Sequence, residues 1–125
     1  MSQRASATVH ELTQCGLLCD LPGERLVELA RRMEREDVPS GAGVVLEGEE
    51  GDRFYVILGG LFIVSHQGEI RPRAVLRPGE YFGEVALAMH VPRTASVRAL
   101  TASTVASCDQ ATFDEFIRPL FADDT

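Results

Sequence analysis

The sequence predicts a mainly β domain, a double-stranded β-helix or jelly-roll β-roll with flanking N- and C-terminal helices. From residue 38 onward, short β-type runs alternate with turn residues, and many of the 11 glycines fall between these runs or at their edges. Many short strands at regular spacing are typical of jelly rolls and barrels. We expect strands at residues 44–46, 54–58, 61–65, 74–76, 95–100 and 104–108.

Helical periodicity appears on both sides of these runs. Residues 8–36 predict two short helices, because Pro22 and Gly23 interrupt the pattern. The second helix has four apolar residues at the spacing of one face, namely Leu26, Leu29, Ala30 and Met33. Residues 112–121 return to a helical pattern despite Pro119. Its apolar side carries Phe113, Phe116, Ile117 and Leu120.

The length and composition fit one globular domain. A chain of 125 residues with 45% hydrophobic and 25% charged residues can bury a core that supports independent folding. We divide it into an N-terminal helical segment at 1–22, a main domain at 23–121 and a tail at 122–125. No run approaches the ~20 apolar residues that cross a bilayer, so we expect no membrane segment.

Charge and cysteine content narrow the setting. A net charge of −7 argues against a nucleic-acid-binding surface, which is built from clustered Lys and Arg. The N-terminus lacks the apolar run of a secretory signal, and three cysteines make an odd number, so we expect a reducing cytoplasm. Cys15 and Cys19 have no third ligand at metal spacing nearby, and we interpret both as buried small apolar residues.

Other positions are interpreted as scaffold. Tyr55, Ile57, Phe62 and Val64 are expected at alternating core positions of the roll. Gly51 and Asp52 are interpreted as a turn between strands, with positive φ at the glycine and no ligand role.

The strongest candidate site is the segment from Phe82 to Val97. Gly83 allows close approach of the backbone to a ligand, and residues 85–89 suffice for one or two helical turns whose amides would attract an anion. Arg93 is an always-charged planar fork that suits phosphate oxygens. Glu84 is an acceptor that suits a sugar hydroxyl and repels phosphate. The segment therefore predicts a cradle for phosphate and ribose.

This segment resembles the phosphate-binding cassette of the cyclic nucleotide-binding domain family. The family pattern is Phe-Gly-Glu-x-Ala-Leu, a short gap, then Pro-Arg-x-Ala-x-Val. Here it reads Phe82-Gly83-Glu84-Val85-Ala86-Leu87 and Pro92-Arg93-Thr94-Ala95-Ser96-Val97. Upstream, the resemblance extends through the glycine and strand pattern, so it covers roughly residues 24–118.

The resemblance implies a role for each cassette residue. Glu84 would accept from the ribose 2′-hydroxyl and Arg93 would bind the phosphate. Ala86 and Ala95 would present backbone amides to the phosphate, and Thr94 would contact phosphate or base. The expected ligand-binding residues are Phe82, Gly83, Glu84, Val85, Ala86, Arg93, Thr94 and Ala95.

We therefore predict a regulatory module that binds a 3′,5′-cyclic nucleotide, cAMP more than cGMP, without catalysis, cofactor or metal. Ligand capture would pull the helix after Gly83 inward and change the packing of Leu87 and Met89 against the flanking helices. The partner is an effector domain or protein that the chain does not identify. One alternative is a nucleotide-free protein-interaction domain on the same fold. The other is a cupin-like metalloenzyme, which the scattered His10, His66 and His90 disfavour.

Overall fold

The domain is built on two antiparallel four-stranded sheets. A computed structural model describes residues 5–121. The strands are β1 (Glu34–Val38), β2 (Gly43–Val45), β3 (Arg53–Gly59), β4 (Phe62–Ser65), β5 (Ala74–Leu76), β6 (Tyr81–Phe82), β7 (Ser96–Ala99) and β8 (Ser103–Asp109). One sheet has the strand order β1-β8-β3-β6 and the other has the order β2-β7-β4-β5. The predicted mainly β roll with flanking helices is confirmed.

Helices flank the sheets at both ends of the chain and interrupt them once. They are α1 (Val9–Leu12), α2 (Gly23–Arg32), α3 (Glu84–Met89), α4 (Gln110–Thr112), a π-helical segment (Phe113–Ile117) and α5 (Arg118–Phe121). The last three follow one another without a break, and we call residues 110–121 together the C-terminal helix. Within residues 5–121, no helix is long and apolar enough to cross a membrane.

The N-terminal helices are shorter than predicted. The prediction of helix over 8–36 is wrong at two places: α1 has only four residues, and residues from Glu34 on form strand β1. Strand β1 pairs with β8 from Glu34 opposite Ser107 to Val38 opposite Ser103. Its sequence, EREDV, has one buried residue, Val38, and no apolar alternation, so tertiary pairing rather than local pattern decides its conformation.

Strand β3 is buried on both faces, which the alternating prediction did not foresee. On one face of β3, Phe54 and Val56 pack among the helices. On the other face, Ile57 is fully buried between the two sheets, as is Phe62 of β4. Tyr55 and Val64, predicted as core, are only half-buried. A central strand with neighbours on both faces has no solvated side to mark with polar residues, so its apolar run is continuous.

The N-terminal segment belongs to the same hydrophobic core as α2 and β3. Ala7, Leu12, Cys15 and Leu18 are buried in that core. The interpretation of Cys19 as buried is wrong, since its side chain is exposed and donates to the carbonyl of Gly16 at 3.1 Å. The division at residue 22 stays a prediction, and the tail at 122–125 lies outside the described residues.

The C-terminal helix continues past a proline because its backbone widens. Pro119 has no N–H to donate and its ring crowds the carbonyl of Glu115, four residues earlier. The π-helical turn over Phe113–Ile117 ends two residues before this proline, and Arg25 donates to the Glu115 carbonyl at 3.2 Å. The predicted apolar side is confirmed at Phe113, Phe116 and Ile117, which are buried; Leu120 is half-buried.

Candidate functional site

The site begins at the junction between strand β6 and helix α3. Gly83 is the N-cap of α3 and has φ 92°, in the left-handed region that favours glycine. No side chain caps this end, and the first N–H groups of a helix have no partner within it. The backbone therefore presents amides from Glu84 onward, as the sequence predicted.

Arg93 is the buried charge of the site. Its residue is 6% exposed. One guanidinium nitrogen, Nη1, donates to the carbonyl of Gly83 at 3.2 Å, and Nη2 donates to the carbonyl of Arg53 at 2.9 Å. The guanidinium carbon lies 6.0 Å from the ring centroid of Tyr55. These contacts hold the planar fork beside the N-terminus of α3.

The loop before β3 holds Arg93 as well, which the sequence interpretation missed. The Arg93 N–H donates to the Glu49 carbonyl at 2.8 Å, and its own carbonyl accepts from Gly48 at 2.9 Å. Gly51 lies against the guanidinium: a Cβ there would be 2.3 Å from Nε and 2.4 Å from Cζ. The expected positive φ at Gly51 is wrong, because Gly51 is not among the positive-φ glycines. A larger residue at this position would force the guanidinium of Arg93 to shift.

The charges around Arg93 offset its burial in part. Burial is the main influence on the pKa of Arg93 and lowers it, while Tyr55, Asp52 and Glu84 act in the opposite direction. A guanidinium remains protonated in proteins even so. Arg93 is therefore a permanent cation with little competing water, which strengthens its attraction for an anion.

Glu84 is half-buried at the first turn of α3. Burial is the largest influence on its pKa and raises it, whereas its own backbone amide and Arg93 act to lower it. A half-buried carboxylate gains from a hydroxyl donor, because such a bond replaces part of its lost hydration.

Seven of the eight predicted ligand residues line one cavity of about 210 Å³. Ala86 is the exception, since it is buried and lines a different cavity. Thr94 is exposed at the rim and Val85 is 40% exposed. The remaining lining was not predicted as ligand-binding and forms a largely apolar wall made of Val45, Val64, Leu76, Tyr81 and Val97.

The aromatic floor beside this cavity is part of the core. Phe82 is 5% exposed and stacks on Tyr55 with ring centroids 4.9 Å apart and an interplanar angle of 11°. Its other neighbour is Phe62, with a centroid distance of 5.7 Å. The structure therefore places Phe82 chiefly as support for the cavity.

A larger cavity of about 470 Å³ lies near the other side of α3. Its lining includes Glu50 and Asp52, together with His90 and Gln110. Two carboxylates would repel an anion, and the lining lacks the guanidinium of Arg93. The smaller cavity is therefore the better phosphate site.

The two residues expected to relay ligand binding differ in burial. Leu87 is fully buried in the core beside α2 and the C-terminal helix. Met89 is 67% exposed, so the expected packing of Met89 against the flanking helices is wrong. Leu87 and Met89 lie two positions apart on α3 and so face different directions.

Comparison with known proteins agrees with this geometry. The family model described as "Cyclic nucleotide-binding domain" matches residues 35–119. The cAMP-dependent protein kinase regulatory subunit of Yarrowia lipolytica is 36% identical over 118 residues, which are 94% of this chain and 32% of that protein. The cGMP-dependent protein kinase egl-4 of Caenorhabditis elegans is 32% identical over 123 residues, covering 94% of this chain and 16% of that protein.

Solved structures show the same fold. The regulatory domain of Toxoplasma gondii PKA, crystallised with cAMP, superposes with a TM-score of 0.81 at 26% identity, covering 89% of this chain and 43% of that one. This chain thus spans less than half of each protein that it resembles here. The family model covers more than half of the length of this chain. The chain belongs to the cyclic nucleotide-binding domain family.

Proposed function

We propose that this chain is a regulatory module that binds a 3′,5′-cyclic nucleotide, cAMP in preference to cGMP, and performs no reaction on it. The observation that carries the proposal is the placement of opposite charges in one cavity: the buried cation Arg93 and the half-buried carboxylate Glu84. The first suits a phosphate and the second suits a sugar hydroxyl.

The phosphate would sit between Arg93 and the start of α3. Arg93 uses Nη1 and Nη2 on backbone carbonyls, and a guanidinium has further N–H groups that can bind phosphate oxygens. The first amides of α3 after Gly83 and the amide of Ala95 would complete the cradle. Because the cation is already oriented, little side-chain ordering opposes binding.

The ribose would face Glu84 and the base would lie on the apolar wall. A carboxylate accepts a hydrogen bond from the 2′-hydroxyl, so a deoxyribose analogue leaves Glu84 without this donor. Val45, Val64 and Leu76 offer nonpolar contact without hydrogen-bond groups. Thr94 lines this cavity and carries an exposed hydroxyl that would contact the phosphate or the base. The cAMP-dependent relatives support cAMP, and the cGMP-dependent relative keeps cGMP as the second candidate.

The proposal is one of sensing. No residue of the cavity is placed as a general base for water, since Glu84 is assigned to the sugar. Occupancy of the nucleotide site would be relayed through movement of α3 and its neighbouring helices to an effector domain or partner.

We further propose that the module works in the cytoplasm and does not bind nucleic acid, consistent with the net charge of −7.

Titration calorimetry with cAMP and cGMP tests the proposal. A cyclic nucleotide has ~22 non-hydrogen atoms, and at about 0.3 kcal/mol per atom the expected dissociation constant is on the order of ten micromolar. The Arg93→Ala variant should bind about 10- to 100-fold more weakly, because charge-assisted hydrogen bonds contribute about 1.5 to 3 kcal/mol. Arg71→Ala is a matched control, as this arginine is exposed and does not line the cavity.

A second pair of measurements addresses the sugar. Wild type should prefer cAMP over its 2′-deoxy analogue, and Glu84→Gln should lose most of that preference. If the chain binds neither nucleotide, the alternative function of a nucleotide-free protein-interaction domain on the same fold is favoured instead. Metal analysis of the purified protein addresses the cupin-like alternative; within residues 5–121, no cluster of three His, Cys, Asp or Glu side chains is arranged for a metal ion.

A further inference from the structure

The C-terminal end of α3 is capped by a side chain from another helix. The last turn of α3 contains no basic residue, and the chain turns away at His90, which has φ 55°. Arg118 of the C-terminal helix donates from Nη1 to the Ala88 carbonyl and from Nη2 to the Leu87 carbonyl, both at 2.9 Å. One guanidinium thus binds two carbonyls at the end of α3.

Arg118 is itself oriented by its own helix. Its Nε and Nη2 donate to Asp114 Oδ1 at 3.0 and 2.8 Å. The amide of Gln110 donates to the same Asp114 oxygen at 2.9 Å and to the Leu87 carbonyl at 3.1 Å. The guanidinium carbon also lies 5.6 Å from the ring centroid of Phe113. Gln110 and Arg118 therefore both bind the end of α3, and Asp114, on the turn between them, orients both side chains.

This cap matters because α3 is too short to be stable alone. It has six residues, and helices below ~12 residues are marginal in water without tertiary contacts. The last carbonyls of a helix lack intrahelical donors and carry partial negative charge, which a cation stabilises. Leu87 anchors α3 by burial, and Arg118 anchors it by hydrogen bonds and charge.

The same C-terminal helix is held on its other side by α2. Arg25 and Arg32 lie over the Phe116 ring at 4.1 and 5.0 Å from its centroid. Arg32 also pairs with Glu115 at 2.7 Å. The C-terminal helix therefore contacts α2 through Phe116 and Glu115, and α3 through Arg118.

We propose that Arg118 is a positioning residue for the nucleotide site, and that it links ligand binding at the start of α3 to the C-terminal helix. The inference rests on the proposed function. Arg118 does not line the cavity assigned to the nucleotide; it holds α3 in the pose in which Gly83 and Arg93 meet. If that pose is less populated without Arg118, apparent affinity falls by the same factor, and linkage makes the effect reciprocal.

The test uses the full chain and three variants. Arg118→Ala removes the cap, and Arg118→Lys restores the positive charge without the fork that binds two carbonyls. Arg73→Ala is the matched control, because Arg73 pairs with Glu69 four residues earlier just as Arg118 pairs with Asp114, but on the β4–β5 connection. Each is measured by calorimetry with cAMP and by amide hydrogen exchange with and without cAMP.

We expect Arg118→Ala to bind cAMP about tenfold more weakly, Arg118→Lys to be intermediate, and Arg73→Ala to match wild type. In wild type, cAMP should slow exchange over both residues 87–89 and the C-terminal helix. In Arg118→Ala, the response of the C-terminal helix should be lost while α3 still responds. Lowered stability with both responses retained would indicate a purely structural role for Arg118 and would overturn the inference.

Two further outcomes overturn the inference, and both can be distinguished from failure of the proposed function. Wild-type affinity together with a wild-type exchange response in Arg118→Ala overturns it. So does unchanged exchange at residues 87–89 in the nucleotide-free variant, where we expect about tenfold acceleration. The second comparison needs no ligand, so it decides the positioning role even if wild type binds neither nucleotide. If Arg118→Ala does not fold, the Arg118→Lys variant carries the same comparisons.

Discussion

Gly51→Ala should disable the nucleotide site from outside the cassette. An added Cβ would lie 2.3 Å from Nε, 2.4 Å from Cζ and 2.8 Å from Cδ of Arg93. Nonbonded carbon contacts are comfortable at about 3.5 Å or more, so the guanidinium must move by about 1.1 Å. A shift of this size away from Gly51 breaks or strains the bonds from Nη1 to Gly83 and from Nη2 to Arg53.

The expected loss follows from these bonds. Hydrogen bonds to charged groups contribute about 1.5 to 3 kcal/mol each, so a misplaced guanidinium should weaken cAMP binding about 10- to 100-fold. The assay is titration calorimetry, with urea unfolding run beside it to confirm that the variant is folded at the assay temperature. Gly59→Ala is the matched control, because a Cβ at Gly59 meets nothing within 4 Å and its φ is not positive.

A double variant tests whether Gly51→Ala weakens cAMP binding by displacing Arg93 or by disturbing the fold more generally. If Gly51 acts through Arg93, then adding Gly51→Ala to Arg93→Ala should cause little further loss, since the guanidinium is already absent. Additive losses would mean that Gly51 supports the site by another route. Affinity in Gly51→Ala within about twofold of wild type would refute the reasoning altogether.

Three further predictions concern pH, thiols and the core. Because burial raises the pKa of Glu84 above its usual 4.5, cAMP affinity should fall as pH is lowered through that raised pKa. Protonation removes the negative charge and reduces the acceptor capacity of the carboxyl group, and Glu84→Gln should show no such fall. A thiol reagent should modify Cys19 rapidly, whereas Cys15 and Cys108 react only after unfolding; both are buried, and burial raises the pKa of Cys108 to about 12. Rapid modification of a second thiol in the folded protein would contradict the burial of Cys15 and Cys108. Phe54→Ala should cost about 3–5 kcal/mol in urea unfolding, and a loss under 1 kcal/mol would contradict its full burial.

Strand positions followed from local pattern wherever apolar residues mark them. The predicted run at 74–76 coincides with β5, and the other five runs match strands within one residue at each end. Strand β1 was missed because a charged five-residue sequence becomes a strand only by pairing with β8. Strand β6 was missed because two residues are too few to show a pattern.

The candidate site divides in the same way. Gly83, Glu84 and Arg93 lie within one short segment, so their chemistry and spacing could be interpreted directly. The contacts of Arg93 with Gly51 and with the Arg53 carbonyl span 42 and 40 residues of sequence. The exposure of Met89 also escaped prediction, because an apolar residue on a short helix does not reveal which side faces the core.

The sequence by itself determined the family, the roll with flanking helices, and the charged groups expected for phosphate and ribose. These depend on residue types at short spacing, where local chemistry and periodicity suffice. Only the tertiary structure decided how those groups are held: the packing of Gly51 on Arg93, the apolar wall, and the Arg118 cap on α3. Such contacts join segments that are distant in sequence, and they form only when chain folding brings those segments together.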